Sequence, residues 1–492
     1  MLELFIVIFF TIILAVPTLR FAHRQQKKIK RDRHTLASNL LKIQSTLEQY
    51  RDEEYLEKRW LESYIKDIKK VLKKDKNILK YLNQKRLPDI FSIDKNSTKW
   101  IENINRDFTS YELKEYQEYF DTVESNPLTH MQRIAVITHE ENNLILAGAG
   151  SGKTSVIVAK IGYLLEKEYC TPDEIIILSF NKKAQEELSE RIKERIGVEI
   201  NIKTFHALGK EIVDECYIVE SLEFDEMITL ATQALIEELY ASPYSYIFID
   251  EFQDISQERA ELLFELKMQT DANITAVGDD WQSINQFAGS DISIIQNFRE
   301  QYPYTAVIKL DYTFRFNQEI AQASRKFILK NPAQITKEIK TTKKTETPSL
   351  YIYWYKTKEE IEEAIIMILS LIDKKNKETK SVKILSRYRF MLSQTLSQLQ
   401  EQFPKLELSN ETIHSSKGLE ADYVIITHLE SGKFGFPSEI EESDEPFLYA
   451  EERRLFYVAM TRAKEKIFFI CNKNNPSIFI EELIEEEKFV VL

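Results

Sequence analysis

The sequence predicts an α/β chain with two successive parallel sheets, entered through an apolar helix and a charged helical segment. Three observations carry that expectation. Short apolar runs ending in polar residues, at 175–180, 246–251 and 274–280, alternate with helical stretches. This is the pattern of a parallel sheet whose strand ends carry ligand residues. A second series, at 350–354, 382–386, 423–427 and 467–471, repeats the alternation. Between an apolar strand at 144–146 and a helical stretch at 155–165 lies a turn containing Gly148, Gly150 and Gly152.

Taken in order, the chain begins with an apolar run at 4–19, interrupted only by Thr11, Pro17 and Thr18. A spanning helix needs about 20 apolar residues, and the neighbours Met1, Leu2, Phe21 and Ala22 bring the run close to that. Only Glu3 precedes it, whereas Arg20, Arg24, Lys27, Lys28, Lys30, Arg31 and Arg33 follow. A secretory signal has the opposite layout, and basic residues mark the cytoplasmic side. Residues 1–22 are therefore expected to be a transmembrane helix, giving a single-pass protein of the cell membrane with its bulk in the cytoplasm.

Residues 23–95 read as a basic helical hairpin or coiled coil. Leu36, Leu40, Ile43, Leu47 and Tyr50 step by alternating fours and threes, and Leu61, Ile65, Ile68 and Leu72 resume the register. Residues 24–86 carry 19 Lys and Arg against 9 Asp and Glu, while the whole chain has a net charge of −13. A nucleic-acid grip in the acidic remainder must be a local groove and not a global field. Residues 96–125 are expected to form a linker and an amphipathic helix. Cys170, Cys216 and Cys471 show no paired or metal-ligating spacing, which points to a reducing compartment without a disulfide framework.

The turn Ala147-Gly-Ala-Gly-Ser-Gly-Lys153-Thr154 meets the phosphate-loop pattern except at its first position. Such a loop points backbone N–H groups at phosphate oxygens from a helix N-terminus. Gly148, Ala149, Gly150, Ser151 and Gly152 would form the cradle, Lys153 would reach the β- and γ-phosphates, and Thr154 would hold Mg²⁺. Asp250 and Glu251 close an apolar strand, where Asp250 suits the Mg²⁺ shell and Glu251 suits an attacking water. Gln282 can sense a γ-phosphate without adding charge. Arg315 and Arg462 are candidates to neutralise a phosphoryl transition state, an effect worth about 10³ to 10⁵ in rate.

Nine motifs then occur in one order: Pro127-Leu-Thr-His-Met-Gln132, the phosphate loop, Ser179-Phe-Asn-Lys-Lys-Ala184, Thr204-Phe-His206, Asp250-Glu-Phe-Gln-Asp254, Gly278-Asp-Asp-Trp-Gln-Ser-Ile284, Tyr312-Thr-Phe-Arg315, Thr412-Ile-His-Ser-Ser-Lys-Gly-Leu-Glu420 and Glu451-Glu-Arg-Arg-Leu-Phe-Tyr-Val-Ala-Met-Thr-Arg462. In this series the chain resembles UvrD/Rep-type superfamily 1 DNA helicases over about residues 112–485, and within them the helicase IV branch. The resemblance implies two tandem RecA-like P-loop domains, at 126–330 and 331–492, with ATP and Mg²⁺ between them. It implies that Gln132 reads the adenine edge, Phe314 stacks on adenine and Glu420 meets the ribose. It places DNA contacts at Phe180, Asn181, Phe205, His206, Phe287 and His414, and stacking on aromatic rings is a sequence-tolerant way to hold single strands.

The chain departs from the family in four places. Only residues 208–244 separate the Thr-Phe-His motif from the Asp-Glu strand, and residues 316–410 are taken up by the second domain's own elements, so both auxiliary domains are expected to be reduced. Asn285 stands where tyrosine is usual and Ala288 where arginine is common. The expected activity is an ATP-dependent motor that ratchets 3′ to 5′ on single-stranded or 3′-tailed duplex DNA, as a DNA helicase. Two alternatives stay open: a DNA-stimulated ATPase or translocase that does not unwind, and a nucleotide-dependent nucleic-acid sensor in a membrane-localised defence or repair complex with an unidentified protein partner.

Overall fold

The computed structural model describes residues 97–492 apart from 220–221 and 441–444, together with residue 59. The chain divides into two compact units, residues 1–116 with 138–141, and residues 117–137 with 142–492. Of the first unit the main described element is a helix, Ser97–Glu115, which begins inside the stretch expected to be linker. The expected apolar helix at 1–22 and the basic hairpin at 23–95 lie outside the described residues, residue 59 excepted.

The expected location, single-pass in the cell membrane with motor domains in the cytoplasm, is corrected here. No helix among the described residues is long and apolar enough to cross a membrane. The described helices are amphipathic or short, and a span requires about 20 apolar residues in one helix.

The second unit contains two six-stranded sheets, every pair parallel. Strands β1 (Asn142–Ala147), β2 (Ile175–Ser179), β3 (Asn201–Thr204), β4 (Tyr246–Ile249), β5 (Asn273–Gly278) and β6 (Thr305–Leu310) form the first, in the order β3-β2-β4-β5-β1-β6. Strands β1 and β2 are buried along their whole length, as parallel strands covered on both faces must be. This is why their sequences are nearly unbroken apolar runs. Strands β7 (Leu350–Tyr355), β8 (Lys380–Ser386), β9 (Leu406–Thr412), β10 (Ala421–Leu429), β11 (Ala463–Asn472) and β12 (Val490–Val491) form the second, in the order β12-β7-β11-β10-β8-β9.

Five helices position the functional residues: α1 (Lys153–Glu166), α2 (Lys182–Ile196), α3 (Phe205–Cys216), α4 (Gln318–Ile328) and α5 (Ala450–Met460). Asn181 caps α2 by accepting from the Ala184 N–H, and Gly197 at φ +80° ends it. Thr204 caps α3 in the same way. The chain crosses between the sheets more than once. After β6 it enters α4, whose Ile320, Ala323 and Phe327 join Leu350, Val424 and Phe456 in the second core. It then returns, so that Ile335 packs against the first core, before starting β7. Ala149 and Ile284 from the first half are buried in the second half's cluster, which makes the two sheets one packed body.

Candidate active site

Strand β1 runs straight into the glycine-rich turn, and α1 starts at Lys153. Gly150 and Gly152 adopt φ of +70° and +81°, a left-handed backbone that side chains disfavour. Space is as tight as conformation. A Cβ on Gly150 would sit 2.5 Å from Arg315 Cβ, and one on Gly152 would sit 2.5 Å from Gln132 Nε2. Gln132 is buried and braces the turn: its Nε2 donates to the Ser151 carbonyl at 3.0 Å, and its Oε1 accepts from the Thr129 N–H at 2.7 Å. Ser151 Oγ is buried without a hydrogen-bond partner among the described residues. An orphaned hydroxyl, a helix N-terminus and a lysine around one open turn fit a polyphosphate. Among the described residues no group of three or more His, Cys, Asp or Glu could hold a metal by itself. Thr154 and Asp250 fit the few protein oxygens that Mg²⁺ takes when phosphates and water supply the rest.

Strand β4 delivers Asp250 and Glu251 to the same end of the sheet. Glu251 has φ +49°, a left-handed conformation rare outside glycine and costing about 1–2 kcal/mol. It directs its carboxylate at Lys153, with Nζ to Oε2 at 2.7 Å, and Gln253 Nε2 donates to the same oxygen at 2.6 Å. Burial works to raise the Glu251 carboxyl, but Lys153 and Lys417 outweigh it and hold it well below the usual range. Asp250 moves the other way, raised by burial and by the adjacent Glu251 charge. Burial pulls the Lys153 ammonium down, but Glu251, Asp250 and Asp279 outweigh it and keep the group charged.

Cations arrive from the other half. Thr313 Oγ1 donates to the Ala149 carbonyl at 2.8 Å, and the Phe314 N–H donates to the Gly150 carbonyl at 2.9 Å. Phe314 is 47% exposed beside this contact, free to take a stacking partner. Arg315 Nε donates to Glu420 at 2.8 Å, and Lys464 pairs with the same carboxylate at 2.9 Å. Arg462, at the end of α5, is fully buried and donates from Nη2 to Gln282 Oε1 at 3.1 Å. Burial and the neighbouring Arg315 push Arg462 down to about 9, and its guanidinium also donates to the Val458 and Leu419 carbonyls. Gln132, the glycine turn, Lys153, Glu251, Gln282, Arg315 and Arg462 are thus linked in one hydrogen-bonded and packed constellation. Glu420 reaches it through Arg315.

The expected DNA contacts divide. Phe287 is 77% exposed and meets His414 from the second half edge to face, at 5.4 Å between ring centroids. Phe180 is half-buried with Arg259 over its ring at 5.6 Å. His206 is partly buried, and burial with the nearby Arg259 lowers it to about 4, so it is neutral at pH 7. Asn181 is exposed, with its side-chain oxygen engaged in capping α2. Phe205 is corrected: it is 1% exposed and lies in the first core, where it supports Phe180 at 5.4 Å. As the first residue of α3 its side chain turns inward, and His206 takes the outer position.

Three features escaped the sequence reading. Lys417 pairs with Asp254 at 2.6 Å and donates to the Gln282 carbonyl at 3.0 Å, joining the halves beside the catalytic candidates. Its place between Ser416 and Gly418 in a named motif was a usable signal. Tyr388 and Phe390 stack at 5.4 Å with Phe434 edge-on to both, an aromatic patch near the ends of β8 and β10. Lys337 is buried against Asp279 and Asp280, with nothing nearby in sequence to announce it.

The comparisons with known proteins agree with this geometry. The UvrD/REP helicase N-terminal domain matches residues 128–218 and 210–303, and the UvrD-like helicase C-terminal domain matches residues 388–474. DNA helicase IV of Escherichia coli (strain K12) is 31% identical over 507 residues, covering 77% of this chain and 73% of that protein. The ATP-dependent DNA helicase PcrA of Bacillus subtilis (strain 168) is 24% identical over 303 residues, 44% of this chain and 41% of that protein. PcrA of Staphylococcus aureus (strain Mu50 / ATCC 700699) is 25% identical over 338 residues, 50% of this chain and 46% of that protein. The chain therefore spans less than half the length of either PcrA.

Proposed function

The chain belongs to the UvrD/REP helicase family, and on that premise we propose that it is an ATP-dependent DNA helicase, a motor moving 3′ to 5′ on single-stranded DNA. The observation that carries this reading is the pairing of Arg462 with Gln282 across the two halves, beside Lys153 and Glu251. A turnover centre split between two halves couples hydrolysis to any movement of one half against the other.

Lys153, Thr154 and the glycine turn would hold the phosphates, Gln132 and Phe314 the adenine, and Thr154 with Asp250 the Mg²⁺. Bound as Mg·ATP, the nucleotide supplies the phosphoanhydride bond whose hydrolysis drives the motor. Glu251 is a weak base while Lys153 holds it. With Lys153 turned toward an anion, the Glu251 carboxylate loses the partner that keeps its pKa low and becomes the better proton acceptor. Arg315 and Arg462 then face the developing charge in a site sheltered from water.

The test is ATP turnover with and without single-stranded DNA. Turnover should rise with DNA and fall by at least about 10³ in Lys153→Ala or Glu251→Gln, the scale of losing an essential phosphoryl-transfer group. Turnover indifferent to DNA sinks the motor reading.

A second reading, translocation without unwinding, draws support from the short auxiliary regions. Helix Leu396–Gln402 is followed by β9 after three residues, and helix Phe224–Ile236 is the one helix of the described residues between α3 and β4. The 507 aligned positions with helicase IV also exceed the 77% of this chain that enters them, so that relative carries segments without a counterpart here. Unwinding of a 3′-tailed duplex separates the two readings.

A further inference from the structure

Two aspartates stand side by side at the end of β5, both fully buried, and two adjacent buried carboxylates cannot both stay ionised without a cation. The cation is Lys337. It lies 57 residues away, on the segment that leaves α4 and returns to the first half before β7. Its Nζ donates to Asp279 and, at 2.6 Å, to Asp280 Oδ1, and sits 4.5 Å from the centre of the Trp281 ring. The same segment is strapped down by its backbone: the Ile335 N–H donates to Asp280 Oδ2 at 2.7 Å, and the Ile335 carbonyl accepts from Trp281 Nε1 at 3.0 Å.

Asp279 and Asp280 then part company. Asp280 is used up within the strap. Asp279 accepts from Gln282 Nε2 at 2.6 Å, and its N–H donates to Gln253 Oε1 at 2.8 Å. Gln253 in turn donates to Glu251. The Gln282 amide therefore has one sense: its nitrogen faces Asp279 and its oxygen faces Arg462. Asp279 accepts on one side of the amide and Arg462, which has no acceptor, donates on the other, so the two hold it in that sense together.

We propose that Lys337 is a positioning residue for turnover: by holding the Asp279 carboxylate in place it fixes the Gln282 amide and presents its oxygen to Arg462. The strap ties this orientation to the segment joining the two halves, so that movement of one half is registered at the γ-phosphate sensor. The proposal rests on the reading of this site as an ATPase.

Three variants test it, each assayed for kcat, KM for ATP and thermal midpoint with single-stranded DNA present. Asp279→Asn and Asp280→Asn remove the same charge from the same lysine. The proposal expects kcat to fall on the order of ten- to a hundred-fold in Asp279→Asn, the scale of a misplaced group at a reacting centre, with KM unchanged. Asp280→Asn should keep the kcat of the unaltered chain. The double variant Lys337→Met with Asp280→Asn removes one buried charge of each sign and strips Asp279 of its lysine; a lower thermal midpoint is expected, and its kcat is compared well below that midpoint. It should show the same kcat loss as Asp279→Asn. Equal kcat in the two single asparagine variants, or full kcat in the double variant, overturns the proposal. An unaltered chain that turns over no ATP overturns the ATPase reading first, and the proposal with it.

Discussion

The two sheets share an architecture and divide the chemistry by sign. The first half ends its strands in anions and acceptors: Asp250, Glu251, Asp254, Asp279 and the Gln282 amide. The second half and the crossing segments answer with cations: Arg315, Lys337, Lys417, Arg454 and Arg462. Lys417 with Asp254, Arg454 with the Ser283 carbonyl at 2.5 Å, and Arg462 with Gln282 are all contacts across that division. Among the described residues, Lys153 apart, the cations hydrogen-bonded to these groups arrive from outside the first half. The lesson is that the glycine turn and Lys153 can belong to one half while the groups that complete the site come from the junction.

The sharpest way to break this comparison is Arg462→Ala. It leaves every phosphate-binding group of the first half in place, so ATP binding measured by fluorescence titration should persist. Turnover should drop by about 10³ to 10⁵, the contribution of an arginine to phosphoryl transfer. Loss of binding to the same degree would mean that the halves do not divide the work. Lys417→Met comes next. It leaves Asp254 buried with no cation, and breaking such a pair costs about 3–5 kcal/mol, here borne by the joined state of the two halves. A lower thermal midpoint together with weaker DNA stimulation is expected, and the double variant with Asp254→Asn should recover part of both. The smallest effect concerns the nucleic-acid side. Phe287 and His414 present one aromatic pair from opposite halves, and Phe287→Ala should weaken single-stranded DNA binding by about 1–3 kcal/mol, one stacked base, without altering basal turnover. Unchanged affinity in an anisotropy titration would remove Phe287 from the DNA path.

Much of this was legible in the residues because burial writes itself plainly into parallel strands. The runs at 175–180 and 246–251 became β2 and β4 with one or two residues trimmed, since strands covered on both faces are mostly apolar. The residues trimmed from β4, Asp250 and Glu251, are the polar ones that carry chemistry. Side-chain direction was less legible. Phe205 and His206 are neighbours in one motif, yet Thr204 starts a helix there and sends one ring into the core and the other outward. Long-range pairing was not legible at all. Nothing around Lys337 distinguishes it from the other lysines of its segment, because its two carboxylates come from a loop that only the return of the chain from α4 brings to it.

The close approach of Gly150 to Arg315 has a mechanical meaning. The turn meets the crossing segment here with the Phe314 N–H on the Gly150 carbonyl, and Arg315 Cβ and Thr313 Oγ1 fill the place a side chain at Gly150 would take. One methyl group at this glycine would act as a doorstop, holding the jaws ajar by roughly its own thickness. The fit of the turn against the crossing segment is therefore set by the width of a missing carbon atom, at a single position in the chain.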